Sequence, residues 1–269
     1  MQSSPEFRNK KRLGQNFLRD ERILDGIVRR AALEPSDSVL EVGAGQGVLT
    51  KALLSSGCRH VHSVEIDRRL EPFLAPLEAA FPGRVTILWG DVLKIALGAL
   101  DPRPTKVVAN IPYNITTPLL WRLLEELPGT GYYLLMVQKE AADRIIAPSR
   151  TKERYPLGVT LEIMGTSRSV LKVPPTAFRP VPKVESRVIE IALSGRYGAL
   201  PRDGVWREML REAFSQRRKK LLNNMRRRWP TLPWEGMLEG ARVDGNARAE
   251  ELTGEQWLAL WELMRARGQ

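Results

Sequence analysis

Up to about residue 194 the chain alternates short apolar runs with stretches of helical periodicity, the pattern of a mostly parallel α/β sheet. Ser38–Val42, His60–Ile66, Val85–Leu88, Lys106–Ala109 and Tyr132–Gln138 read as successive strands. Gly43-Ala44-Gly45-Gln46-Gly47 reads as a turn into a helix that continues through Leu54. Thr117 reads as an N-cap with Pro118 at the first helical position, opening a helix through Leu127. A further helix is expected from about Lys139 to Ile146. A flexible stretch, Ser149 to Tyr155, then leads to Val159–Met164 and the proline-rich segment Val173–Pro182. A strand over Arg187–Leu193 follows, with Ile189, Ile191 and Leu193 on one face.

The character changes near Ser194-Gly195. Trp206, Leu210, Phe214, Leu221, Met225 and Trp229 recur at roughly helical spacing with charges between them. Thr253 and Gln256 have capping-box spacing, and Trp257, Leu260, Trp261 and Met264 follow on a helical period. The expected organisation is an α/β domain over 1–194 and a small all-helical domain over 195–269, with no internal repeat.

Composition narrows the class. The formal charge of +11 points to a polyanionic partner, nucleic acid first and an anionic membrane second. The single cysteine, Cys58, excludes an intramolecular disulfide and fits a reducing compartment as a small packing residue. With one Cys and two His, His60 and His62, a zinc site built by the protein is not expected. No apolar run approaches the ~20 residues of a membrane helix. Glu6, Arg8, Lys10, Lys11 and Arg12 interrupt the start of the chain where a secretory segment would be apolar. These features lead us to expect a soluble, intracellular and cytoplasmic protein, an organelle being the alternative compartment, and a monomer.

The candidate chemistry sits at strand ends. Gly43 and Gly45 lie where a backbone must turn tightly and let a ligand approach, although Gly-x-Gly-x-Gly fits the dehydrogenase spacing imperfectly. Glu65 ends the next strand, where a carboxylate can take both hydroxyls of a ribose; Asp91, after the third, can accept from an adenine amine. Gly, Glu and Asp on three strand ends in this order point to an adenosine-containing cofactor. At the next strand end, Asn110-Ile111-Pro112-Tyr113 groups an amide, a proline and an aromatic ring, a set able to hold a flat base and accept from its exocyclic amine.

In these motifs the chain resembles the KsgA-type rRNA adenine dimethyltransferases. The resemblance runs through Gly14–Leu18, Leu40–Thr50, Glu65-Ile66-Asp67, Gly90-Asp91-Val92, Asn110–Thr116, Gln138-Lys139-Glu140 and Pro174–Ser186. It continues through Ala213–Asn224 and Asn246–Thr253. It implies a Rossmann-like class I methyltransferase sheet, S-adenosyl-L-methionine as cofactor, and dimethylation of N6 on two adjacent adenines of small-subunit rRNA in a pre-ribosomal particle. By position, Asn16 and Leu18 would close over the cofactor and Gly43 and Gly45 pass beneath its methionine part. Glu65 would hold the ribose and Asp91 contact the adenine, with Ile66 and Val92 beside them also binding the cofactor. Asn110 would contact both the cofactor's amino-acid end and the target amine, Pro112 would accept from that amine, and Tyr113 and Phe178 would stack on the two faces of the base. Gly-Ala-Gly stands where many relatives have Gly-Pro-Gly; both permit the turn.

Between Arg202 and Arg228 Lys and Arg exceed Asp and Glu by seven, largely through Arg217, Arg218, Lys219, Lys220 and Arg226-Arg227-Arg228. The first four are read as wrapping around a helix and as the RNA contact. Two other readings stay open: a macrolide-resistance-type methyltransferase acting on large-subunit rRNA, and a non-catalytic ribosome-assembly or transcription factor on the same fold.

Overall fold

A computed structural model describes residues 15–267. The charged stretch Glu6–Arg12 and Gly14 of the first motif lie outside the described residues. Five strands, β2 (Ser38–Val42), β3 (His60–Glu65), β4 (Val85–Trp89), β5 (Lys106–Asn110) and β6 (Tyr132–Gln138), run parallel. Two more, β7 (Gly165–Val173) and β9 (Ser186–Leu193), complete a seven-stranded sheet of order β4-β3-β2-β5-β6-β9-β7, with β9 antiparallel to both neighbours. A separate two-stranded ribbon pairs β1 (Phe17–Leu18) with β8 (Phe178–Arg179).

Two of the strands legible in the sequence, β2 and β3, are buried on both faces. All five residues of β2 and all six of β3 are buried, so neither strand has a solvent face, although Ser38 and Glu41 in β2 and His60, His62, Ser63 and Glu65 in β3 are polar. Helices α1 (Glu21–Ala31), α2 (Val48–Ser55) and α3 (Glu71–Ala80) serve one apolar layer; α4 (Thr116–Glu126), α5 (Lys139–Ile145) and α6 (Pro156–Met164) serve the other. Asp20 caps α1 by accepting from the amides of Arg22 and Ile23, while Arg29 and Arg30 occupy its last turn, the arrangement that helix-end charges favour.

The remaining helices, α7 (Gly204–Ala213), α8 (Leu221–Arg228), α9 (Trp234–Gly240) and α10 (Gly254–Arg265), close around a third core containing Trp206, Trp234 and Trp257. Thr253 and Gln256 form the expected capping box. The joint with the sheet is α6, which is apolar on nearly every side and contributes Val159 to the helical core. Trp206 donates its indole N–H to Thr160 Oγ1 at 3.0 Å, and Glu162 accepts from the Gly254 amide at 3.1 Å.

Three sequence expectations need correction. Thr117 does not cap a helix: α4 starts at Thr116 from a helical turn over Tyr113–Ile115 and has no side-chain cap. The stretch expected to be flexible before α6 is pinned, because Arg154 is fully buried, paired with Glu162 at 2.6 Å and bonded to the Ala147 carbonyl. Arg217–Lys220 do not wrap around a helix; they form the turn between α7 and α8. Buried Asn224 holds that turn by donating to the carbonyls of Ala213 and Gln216, which satisfies acceptors left open at the end of α7.

Candidate active site

The strand order reverses between β2 and β5, and ligands of open α/β sheets bind at such a switch, beyond the carboxyl ends of the strands. A cleft of about 230 Å³ lies there. Its walls bring together Asn16, Leu18, Gly43, Gly45, Glu65, Ile66, Asp91, Val92, Asn110, Pro112 and Tyr113, which sequence reading had placed on five separate segments.

The glycine loop is shaped by its neighbours. Gly43 and Gly45 have φ of +80° and +58°, where side chains are strained. A Cβ on Gly43 would lie 3.3 Å from the Asn110 carbonyl oxygen, and one on Gly45 would come within 2.9 Å of the Phe17 ring. The loop is therefore pressed between the motif at the end of β5 and the segment that precedes α1.

Glu65 is almost fully buried. One carboxylate oxygen accepts from the Gly45 amide at 2.9 Å and the other from the Asp67 amide at 2.8 Å, so both are oriented and each keeps accepting capacity toward the cleft. Burial pushes its pKa up. Asp67 shows the reverse, held below the usual carboxylate range chiefly by Arg69, with a bond from Gln15 Nε2 at 2.9 Å. Asp91 folds one oxygen back onto the Leu93 amide at 3.0 Å. Ile66, half exposed, and Val48 offer apolar surface at the mouth.

Asn110 Nδ2 donates to the Asn16 carbonyl at 3.2 Å. A carbonyl only accepts, so this bond fixes the amide with nitrogen toward Asn16 and leaves Oδ1 as the acceptor. The Pro112 carbonyl accepts from Ile115 at 3.1 Å and retains one lone pair. The Tyr113 hydroxyl shares a 2.6 Å hydrogen bond with Ser186 Oγ, which anchors the ring from β9.

Phe178 is not in the cleft. It is fully buried, opposite Leu18 in the β1–β8 ribbon and packed in the core beneath it, so its ring reaches a base only if that ribbon opens. Sequence reading gave no role to Gln15, Phe17, Ser186 or Glu41. Phe17 and Ser186 lie inside motifs that had been noticed, but their contacts are distant in the chain.

Glu41 lies beneath the loop, wholly buried at the end of β2. One oxygen accepts from Thr50 and Ser63, each at 2.6 Å, while the other has no partner. Burial raises its pKa from the ordinary 4.5 to about 7. A folded-state pKa above the unfolded value means the contribution to stability is complete below 4.5 and is lost as pH rises through 7. Glu41→Gln is therefore expected to flatten the decline in melting temperature between pH 4.5 and about pH 7. Parallel curves for the two proteins in thermal melts across this range would refute the assignment.

Of the basic tail, Arg226, Arg227 and Arg228 pair with Glu235, Glu212 and Glu208. Arg217 donates to the Lys152 carbonyl at 2.6 Å and lies over the Tyr155 ring; Lys220 bonds Asn246. Arg218 and Lys219 are exposed, and no ion pair holds them among the described residues. His60 and His62 sit within β3, His62 donating to the Pro102 carbonyl at 2.8 Å. The described residues contain no group of three or more His, Cys, Asp or Glu able to hold a metal ion, and no helix long and apolar enough to cross a membrane.

A seven-stranded sheet with a glycine loop, two acidic strand ends and an Asn-Ile-Pro-Tyr segment around one cleft defines the class I methyltransferase fold. Comparison with known proteins gives the family. The model for ribosomal RNA adenine dimethylase matches residues 6–266, and the chain belongs to that family. Ribosomal RNA small subunit methyltransferase A of Synechococcus sp. (strain RCC307) is 42% identical over 93% of this chain and 94% of the relative. The protein of that name from Alkaliphilus metalliredigens is 38% identical over 97% and 94%. Among solved structures, a dimethyladenosine transferase from Plasmodium falciparum superposes with a TM-score of 0.80 at 26% identity, covering 93% of this chain and 98% of that one. The 23S rRNA methyltransferase ErmE gives 0.69 at 29% identity, over 92% and 98%.

Proposed function

We propose that this protein uses S-adenosyl-L-methionine to dimethylate N6 of adenines in small-subunit rRNA. The observation that carries the reading is the contact between the glycine loop and Asn110-Ile111-Pro112-Tyr113, which puts an amine acceptor against the floor of a nucleoside cleft. The cleft suits the cofactor: Glu65 has oriented oxygens for ribose hydroxyls, Asp91 faces the adenine position, and acidic groups favour a cation. When bound, that cofactor supplies an electrophilic methyl group on a sulfonium.

The chain's own part is alignment. The N6 lone pair of adenine is delocalised into the ring and is weakly nucleophilic. Asn110 Oδ1 and the Pro112 carbonyl, accepting from the amine, favour a pyramidal nitrogen whose lone pair points at the donor, and positioning supplies much of the rate. The nitrogen becomes acidic once alkylated, so no strong base is needed at the motif. Tyr113 offers a face to a base taken out of its stack. Arg218 and Lys219, exposed and without an ion pair among the described residues, are assigned to RNA phosphate, with Arg217 and Lys220 holding the turn that presents them.

The higher identity to the small-subunit relatives than to ErmE favours the small subunit as the particle. The test is to incubate the protein with labelled S-adenosylmethionine and either under-methylated small subunits or large subunits, then analyse nucleosides by mass spectrometry. Dimethyladenosine in small-subunit RNA is the expected product. Label on guanine, on ribose, or only in large-subunit RNA would reject the reading.

A further inference from the structure

Large apolar side chains are exposed at four places among the described residues: Val48, Ile66, Val181 and Val184. The first two line the cofactor cleft. The other two, 53% and 44% exposed, lie in the loop between β8 and β9.

That loop is built to hold its side chains outward. Pro180 and Pro182 restrict its backbone. Its end is pinned where the Lys139 amide donates to the Glu185 carbonyl at 2.9 Å. The next residue, Ser186, holds the Tyr113 hydroxyl. The loop is thus continuous with the mouth where the target base enters. Val184 also lines a groove of about 670 Å³ that runs past Lys139 and Tyr155 to Arg217. Arg179 and Lys183 flank the valines, exposed and with no ion pair among the described residues.

Apolar tips interleaved with exposed cations on a proline-restricted loop suit a nucleic-acid strand whose stacking has been interrupted. When a base leaves its stack, the bases on either side each lose a partner, and apolar side chains can cover the faces left open. We propose that Val181 and Val184 form a wedge that packs against the nucleotides flanking the extruded adenine, with Arg179 and Lys183 on their phosphates. The occupant is RNA: the loop itself carries two exposed cations, Arg179 and Lys183, against one exposed carboxylate, Glu185, and it leads into Ser186 at the acceptor mouth, while the groove beyond it mixes acids and bases. This inference rests on the adenine reading given above.

Two measurements test it on the full chain with under-methylated small subunits. Val181→Ser with Val184→Ser removes apolar area that is already exposed, so melting temperature is expected to hold. KM for the particle is expected to rise about tenfold with kcat little changed. Second, Cys58 is the sole cysteine and is buried, so Val184→Cys gives one accessible thiol for a benzophenone. Photocross-links mapped by reverse transcription are expected at nucleotides adjoining the methylated adenine. An unchanged KM, or cross-links confined to distant RNA, overturns the wedge. If the unaltered protein places no methyl group on adenine N6, the functional reading itself fails, so the two failures are told apart.

Discussion

Asn110→Ala is expected to lower kcat for adenine methylation by about 10²–10³-fold, the usual cost of deleting one preorganised polar contact at a reacting centre. Nδ2 is committed to the Asn16 carbonyl, so Oδ1 is held toward the cleft before any substrate arrives. Alanine removes this acceptor and also releases the Asn16 segment from the end of β5. Asn110→Asp separates the two losses, because a carboxylate can still accept from the amine but cannot donate to Asn16. The aspartate variant is expected to retain more turnover than the alanine variant, yet to bind cofactor less well than the unaltered protein. Single-turnover assays with saturating cofactor, together with equilibrium cofactor binding, check both points. An alanine variant within about threefold of normal turnover would remove Asn110 from the chemistry.

How much of this was legible in the sequence depends on the range of the interaction. The run Tyr132–Gln138 gave β6 at both ends because its middle is buried on both faces. β7 was missed because it is an edge strand whose Thr166, Arg168, Ser169 and Lys172 are exposed, and because a register shift between Ser169 and Leu171 breaks its alternation. The cleft residues were legible wherever a strand end fixes them. The burial of Phe178 was not, since it depends on pairing with Leu18. Charge was read least well. The acids that neutralise Arg226–Arg228 lie in other helices, and a count along the chain cannot distinguish a paired arginine from a free one.

The second large effect concerns stability. Gly165 joins α6 to β7 in extended backbone, so conformational freedom is not what the position demands. It demands the absence of a side chain. A Cβ there would lie 2.0 Å from the Ala192 carbonyl oxygen and 2.8 Å from Leu193 Cα, both backbone atoms of β9. β9 cannot yield cheaply, because it is paired along its length with β6 on its other side. Gly165→Ala is therefore expected to cost about 3–5 kcal/mol, the range of severe overpacking, and to lower the melting temperature by roughly 10 °C. Gly204→Ala is the control: it opens α7 with nothing within 4 Å of an added Cβ, and is expected to be neutral or slightly stabilising. Gly165 pairs with Leu193, whereas the Tyr113 anchor, Ser186, lies at the opposite end of β9. Turnover of the Gly165 variant well below its melting temperature should accordingly stay close to normal. A Gly165→Ala protein that melts within a degree or two of the Gly204→Ala protein would show that the strands can part there, and that β9 is a less rigid support for the tyrosine than its pairing implies.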